Sequence, residues 1–411
     1  MQKILIVSSG QPSLNPRLVK EADTLVDAGF EVIIIYQYWN DWGTELDKKL
    51  LSNRKWKAIR VGGSPNKQKL IYFITKLNFR FFNLLAFKFS YNFKISERAI
   101  GRSSILLLKK ASKIKADLYI AHNLGALPAA INAAKKNKAK CGFDAEDFHR
   151  QEVTDDTDSK AYRLAKYIED KYFPKLDYLT TASPLIAKAY QKIYPNLKPT
   201  VINNVFSADF LQKVRDNGLN NELKLFWFSQ TIGKNRGIED AIKAIGYLKK
   251  GHICLTLLGN IDQEHKLYFS NLALQYHLLE NQIIFIKPTA PDKIFNMANQ
   301  HDIGLALEPA FCLNNNIALS NKVFTYLTSG LSLIASETTA QKKFILSNPD
   351  IGQSYPIGNI NDLATIIRMY DEDRNLLYKT KLAASNLAKE QLNWEMESKK
   401  FIELIEKTIS D

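Results

Sequence analysis

Short apolar runs alternate with stretches whose apolar positions recur every three to four residues, and this alternation is the main pattern in the chain. KILIVSS from Lys3, FEVIIIY from Phe30, ADLYIAH from Ala116 and AKCGFDAE from Ala139 read as buried strands. Between them, NPRLVKEADTLVDAG from Asn15 and LGALPAAINAAKKN from Leu124 read as amphipathic helices. A longer helix is predicted around Ala161 to Phe173, followed by the strands YLTTAS and TVINNVF. The polar stretch 206–222 reads as a linker. A second alternating series then begins, with strands KLFWFS, HICLTLLG, QIIFIKP, DIGLALEP and LSLIAS. It closes on one long amphipathic helix through LLYKTKLAASNLAKEQLNWEMESKKFIELIEK. Apolar strands separated by helices imply parallel sheets covered on both faces. At 411 residues the chain is too long for one ordinary domain. The expected architecture is α/β, two doubly wound sheets in tandem facing a central cleft. Domains are placed at 1–205 and 223–385, with 386–411 packing back on the first.

Charge changes this picture in one place. The net charge is +14, and between Lys67 and Lys115 there are twelve Lys or Arg against one acid, Glu97. Nine aromatics fall between Tyr72 and Phe93 in the same segment. Cations interleaved with Phe and Tyr suit a helix lying on an anionic membrane surface, so residues 67–115 are a candidate membrane contact. No nucleic-acid-binding signature accompanies them, and nucleic acid is not expected as a partner. No apolar run reaches a membrane span, and Met1 leads directly into a strand, so a cytoplasmic protein is expected. Cys141, Cys254 and Cys312 lack metal-ligand spacing and read as reduced thiols.

Doubly wound sheets bind ligands beyond the carboxyl ends of their strands, which directs attention to the loops there. After KLFWFS comes QTIGKNRGIEDAIKA, in which Gly233 and Gly237 flank Lys234 and Arg236 just before a helix. Glycines allow close backbone approach, a helix start adds unpaired N–H groups, and a guanidinium grips phosphate oxygens in pairs. Gln230 and Thr231 line the same loop. SNKVFTYLTSG, Ser320 to Gly330, reads as a short helix capped by Ser320, with Val323, Phe324 and Leu327 buried and Gly330 ending it. Asn321 and the cation Lys322 stand at its start. The run FDAEDFHRQE gathers Asp144, Glu146, Asp147, His149 and Glu152 at a strand end, where a carboxylate or imidazole can orient or deprotonate a hydroxyl. His122 also closes a strand. Asp156 to Asp158 sit in a polar stretch rather than after a strand, and no metal is expected there. No GxGxxG follows a strand, which counts against a nicotinamide dehydrogenase.

SNKVFTYLTSG followed by LSLIAS resembles the nucleotide-sugar-binding helix of retaining GT-B glycosyltransferases, usually seen as PNKLFEYMAAG before a strand. The loop with Arg236 is similar to that family's G-x-x-x-x-KG segment. SSGQPSLNPRL resembles its glycine loop followed by Arg, which implies donor-side roles for Gly10 and Arg17. ADLYIAH resembles its D-x-x-x-x-H strand end, FDAEDFHRQE its D-x-H-E loop, and PTVINNVF its N-G-V-D junction. The resemblance spans the whole chain and implies the GT-B fold with two Rossmann-like domains. It implies donor contacts at Gly259, at the end of LTLLGN, and at Ser320, Asn321 and Thr325. The family's two glutamates eight residues apart fall here on Ile317 and Thr325, so neither carboxylate is present. Thr325 is left to reach a ribose by its hydroxyl, while Glu308 or Asn314 to Asn316 take the place of the earlier glutamate.

The implied activity is transfer of a sugar from a nucleotide-diphosphate sugar to a hydroxyl of a saccharide or lipid-linked acceptor, with retention, in surface polysaccharide biosynthesis. Arg236 and Lys322 are expected to stabilise the departing diphosphate without a metal or other cofactor. His122, Glu146, Asp147 and His149 are expected on the acceptor side. The alternatives are a nucleotide-sugar-binding protein without turnover and a nucleotide-sugar epimerase on the same fold.

Overall fold

A computed structural model describes residues 1–88, 94–216 and 222–411. Phe89, Tyr91 and Phe93 of the aromatic run and 217–221 of the expected linker lie outside the described residues. By internal packing the chain divides into two compact units. The first comprises Met1–Asn203, Cys312–Asn314 and Ser398–Asp411; the second comprises Asn204–Phe311 and Asn315–Glu397.

The first unit holds a seven-stranded sheet in the order β3-β2-β1-β4-β5-β6-β7. Its strands are β1 (Lys3–Ser8), β2 (Glu31–Gln37), β3 (Lys57–Val61), β4 (Leu118–His122), β5 (Lys140–Ala145), β6 (Tyr178–Thr181) and β7 (Thr200–Val201). The second unit holds six, in the order β10-β9-β8-β11-β12-β13. These are β8 (Leu223–Thr231), β9 (Ile253–Asn260), β10 (Ile283–Ile286), β11 (Ile303–Ala306), β12 (Ser332–Ser336) and β13 (Gly352–Tyr355). Every pairing is parallel. Central strands such as β1 and β9 are apolar along nearly their whole length because helices cover both faces.

Strand order fixes where a ligand can enter. In the first sheet the chain winds outward through β2 and β3, then returns to lay β4 on the other side of β1. In the second it winds through β9 and β10, then returns to lay β11 beside β8. At each reversal the two outgoing connections diverge and leave a crevice at the strands' carboxyl ends. The crevices therefore lie between β1 and β4 in one unit and between β8 and β11 in the other.

Two sequence expectations need correction. β3 and β13 were not anticipated, because KAIRV is only half-buried and GQSY is mostly polar. The closing helix is two helices, Arg374–Glu390 and Trp394–Ser410. Asn393 divides them: its Oδ1 accepts from Met396 N at 3.0 Å, capping the second, and its Nδ2 donates to the carbonyls of Ala388 and Lys389, closing the first. The described part of 206–222 packs within the second unit. Phe210 stacks on Phe295 with centroids 4.8 Å apart, and Leu211 lies against the apolar core.

Candidate functional site

In the first unit, sheet register creates a polar row. Ser8 lies beside His122, His122 beside Asp144, and Asp144 beside Thr180, on β1, β4, β5 and β6. Partners in a parallel register share a face, so helix Pro16–Asp27 must cover polar groups as well as apolar ones. It does so with Arg17 and Glu21, one turn apart and both fully buried. Arg17 donates through Nε and Nη2 to the two Asp144 oxygens at 2.7 and 2.8 Å, and through Nη1 to the Ile202 carbonyl. Thr180 donates to Asp144 at 2.6 Å. His122 Nε2 meets Glu21 Oε2 at 3.0 Å, and its Nδ1 lies 3.5 Å from Asp144 and 3.7 Å from Glu146.

Burial disfavours a charged imidazole, but Glu21 and its neighbouring acids override it and raise His122 to about 10. Burial likewise presses Asp144 upward, and Arg17 holds it below the ordinary carboxylate range. The acids around it thus favour the charged form of His122, while burial and Asp144 press Glu21 upward. Arg17 and His122, expected at the site, are instead wholly buried, because opposite charges from sheet and helix pair there. Glu21, His122 and Asp144 do place ligand atoms within 4.8 Å of one another. The Arg17 guanidinium already occupies the charge-balancing role that a cation would take.

Above this cluster lies the loop side. Asn15 caps Leu18 N with its Oδ1 and donates to Glu146 at 2.6 Å, so the helix start and the acidic loop are tied together. Ser8, Gly10 and Asn123 meet at the β1–β4 crevice. Gly10 N donates to Ser8 Oγ at 3.1 Å, and Ser8 Oγ lies 3.3 Å from Asn123 Oδ1. Asn123, which sequence reasoning missed, holds a left-handed backbone at φ 66°. Beyond β5, His149 Nδ1 pairs with Glu152 at 2.8 Å. Burial works against the charged ring, but Glu152 raises His149 to about 9. Burial, reinforced by Glu152, lifts Asp147 to about 6. Asn314 locks this loop, accepting from Phe148 N at 2.7 Å and donating to Asp147 at 2.8 Å. Its amide is therefore spent on the loop and does not substitute for a donor-binding glutamate.

In the second unit the β8–β11 crevice gathers the expected cations. Arg236 is exposed, and its Nη1 donates to Ser229 Oγ at 3.0 Å. Gln230 and Thr231 are exposed at the end of β8, and Lys234 stands over the Tyr268 ring at 4.5 Å. Gly237 ends the loop at φ 77°, and a Cβ there would come within 2.7 Å of Leu307 Cβ. This contact brings the Arg236 loop against the residue that precedes Glu308. Gly237→Ala therefore forces both backbone and neighbour to shift. We expect it to cost about 1–3 kcal/mol, read as a lowered urea midpoint. Gly259 is also needed as glycine, since a Cβ would sit 2.6 Å from the Ser229 carbonyl.

Helix Asn321–Thr328 starts where expected. Ser320 Oγ accepts from Lys322 N, Gly330 closes it at φ 70°, and Val323, Phe324 and Leu327 are buried. Lys322 Nζ reaches Glu308 Oε1 at 2.6 Å and lies 5.6 Å from the Trp227 ring centroid. Ser320 Oγ donates to the same Glu308 oxygen at 2.7 Å, and Asn315 Nδ2 donates to the other at 3.2 Å. Burial presses Glu308 upward, and Lys322 overcomes it, holding the carboxylate below its usual range. Asn316 is engaged with Thr339 N. The Thr325 hydroxyl, expected to reach a ribose, instead donates to the Asn321 carbonyl at 3.2 Å and is buried. Asn321 itself is exposed.

No protein-family model matches the chain, and no curated protein matches it. Solved structures do, and they define the class: two parallel sheets of the GT-B fold. HepE from Anabaena, in a complex with UDP-glucose, is 14% identical with a TM-score of 0.71, covering 99% of this chain and 100% of its own. Sucrose-phosphate synthase from Thermosynechococcus elongatus is 12% identical with a TM-score of 0.72, over 100% of both chains. A glycosyltransferase from Rickettsia africae is 15% identical with a TM-score of 0.70, covering 100% of this chain and 99% of its own.

Proposed function

We propose that the chain is a glycosyltransferase that moves a sugar, with retention, from a nucleotide-diphosphate sugar to a hydroxyl of a saccharide or lipid-linked acceptor. We place this reaction in surface polysaccharide biosynthesis, at the cytoplasmic face of an anionic membrane. The observation that carries the reading is the pair of cations, Arg236 and Lys322, beside the β8–β11 crevice, each at the start of a helix. When the anomeric C–O bond breaks, its electron pair goes to the diphosphate, and charge grows on oxygens that guanidinium, ammonium and backbone N–H groups neutralise. These fixed cations do the work a divalent metal does elsewhere, so no metal is required. Ser320 and Asn321 supply hydrogen bonds at the helix start, and Gln230, Thr231, Gly233 and Gly259 line the donor side. Glu308 holds Lys322 in place, and receiving a sugar hydroxyl would require it to release Ser320 or Asn315. Glu146, Asp147 and His149 serve the acceptor. HepE, of the same fold, is solved with UDP and glucose, which supports a nucleotide-sugar donor.

A second reading, donor binding without turnover, is favoured by Ile317 and by the Thr325 hydroxyl turned into its own helix. The test is a panel of nucleoside diphosphates and their sugars. A native-state ligand raises the melting temperature by mass action, so one nucleotide should stabilise the protein selectively. Its sugar conjugate should then release free nucleoside diphosphate. Stabilisation without release for any acceptor would select the second reading, and no stabilisation by any nucleotide would end both.

A further inference from the structure

Helix Lys69–Lys88 carries two apolar faces. One is packed: Thr75 and Ala86 are buried, the Tyr72 ring lies against Tyr38 and under the Arg102 guanidinium at 4.8 Å, and Arg98 covers Phe82 at 4.6 Å. The other faces solvent. Leu70, Ile74, Leu77, Phe81 and Leu84 recur at alternating intervals of four and three, with Phe73 beside them. Leu70 is 72% exposed, Leu77 64% and Phe81 57%. At 100° per residue this is a continuous stripe on the side opposite the packed one. Lys69, Lys76 and Arg80 fall together along one flank of it, and the helix contains no Asp or Glu.

An apolar stripe in water is unfavourable, and its flanking cations say what covers it. A second copy of a chain with net charge +14 would bring like charges together. An anionic bilayer accepts both features, the apolar side chains below the headgroups and the cations among the phosphates. Among the described residues no helix is long and apolar enough to cross a membrane, so this one would lie in the interface plane. We infer that helix Lys69–Lys88 is an in-plane anchor that seats the first unit on anionic lipid by inserting Leu70, Phe73, Ile74, Leu77, Phe81 and Leu84. This deepens and rests on the membrane part of the proposed function. Donor turnover with a soluble acceptor in vesicle-free buffer is independent of it, so the two can fail separately.

The experiment is flotation of the full chain with vesicles of phosphatidylcholine alone or mixed with phosphatidylglycerol. Wild type should float with the mixed vesicles, poorly with the neutral ones, and less as salt rises. The double variant Leu77→Glu/Phe81→Glu should partition at least about tenfold more weakly with an unchanged melting temperature, since both side chains are already exposed. Lys69→Gln/Lys76→Gln/Arg80→Gln should lose about fivefold per cation on mixed vesicles and leave neutral-vesicle binding unchanged. Equal flotation of wild type and Leu77→Glu/Phe81→Glu would overturn the anchor. So would failure of wild type to float, or light scattering that shows a dimer dispersed by the same substitutions.

Discussion

Arg236→Ala is expected to lower turnover of the nucleotide-sugar donor by about two orders of magnitude or more while leaving the melting temperature near that of the wild type. The asymmetry follows from where the residue sits. Its side chain is exposed and, among the described residues, hydrogen-bonds to Ser229, so folding depends on it little. Charge on the diphosphate, in contrast, develops fully only as the bond to the sugar breaks. A cation fixed beside it therefore acts mainly on kcat rather than on KM. Arg236→Lys should recover part of the loss, because a point charge remains but the paired N–H fork does not. Lys322 differs in kind: its ammonium is held by Glu308, and its removal would also leave that carboxylate buried without its cation. Of the two cations, Arg236 is thus the one expected to lose kcat at constant stability. Wild-type turnover in Arg236→Ala would remove the cation clamp from the proposed mechanism.

The parts legible in the sequence were those written in periodicity and capping. Helix Asn321–Thr328 shows its cap, stripe and terminal glycine in the bare string, and apolar strands such as KILIVS can hardly be read otherwise. The parts that were not legible depend on direction. His122 and Asp144 do lie at strand ends, but sequence position cannot say whether a side chain faces solvent or the covering helix. A signal existed for Arg17 and Glu21. They sit one turn apart among Leu18, Ala22 and Leu25, all buried, so their charges fall on the stripe that must pack. Asn123 and Ser229 carried no comparable signal. Their importance comes from the crevices that strand order creates and from contacts formed beside them. The long closing helix failed for a related reason: Asn393 interrupts a continuous amphipathic pattern only through the hydrogen bonds it makes.

Asp144→Ala should destabilise the first unit by about 3–5 kcal/mol, the usual cost of stripping one partner from a buried ion pair. Asp144 is fully enclosed and receives two bonds from Arg17 and one from Thr180. Its loss would leave a buried guanidinium with Glu21 at 3.4 Å, the Ile202 carbonyl and the more distant Glu146. For a unit of this size that corresponds to a fall of about 10 °C in melting temperature. Asp144→Asn should cost less, since the Thr180 contact and the shape survive while the charge does not. Arg17→Met with Asp144→Leu should cost less than the sum of the single changes, because the double variant leaves neither charge stranded. This cycle also separates two roles for Arg17. A guanidinium that gripped the donor would make Arg17→Met raise KM with stability intact. A guanidinium that neutralises the sheet's polar row makes it lower the melting temperature, with the donor's KM unchanged in the fraction that remains folded. The enclosed geometry predicts the second result.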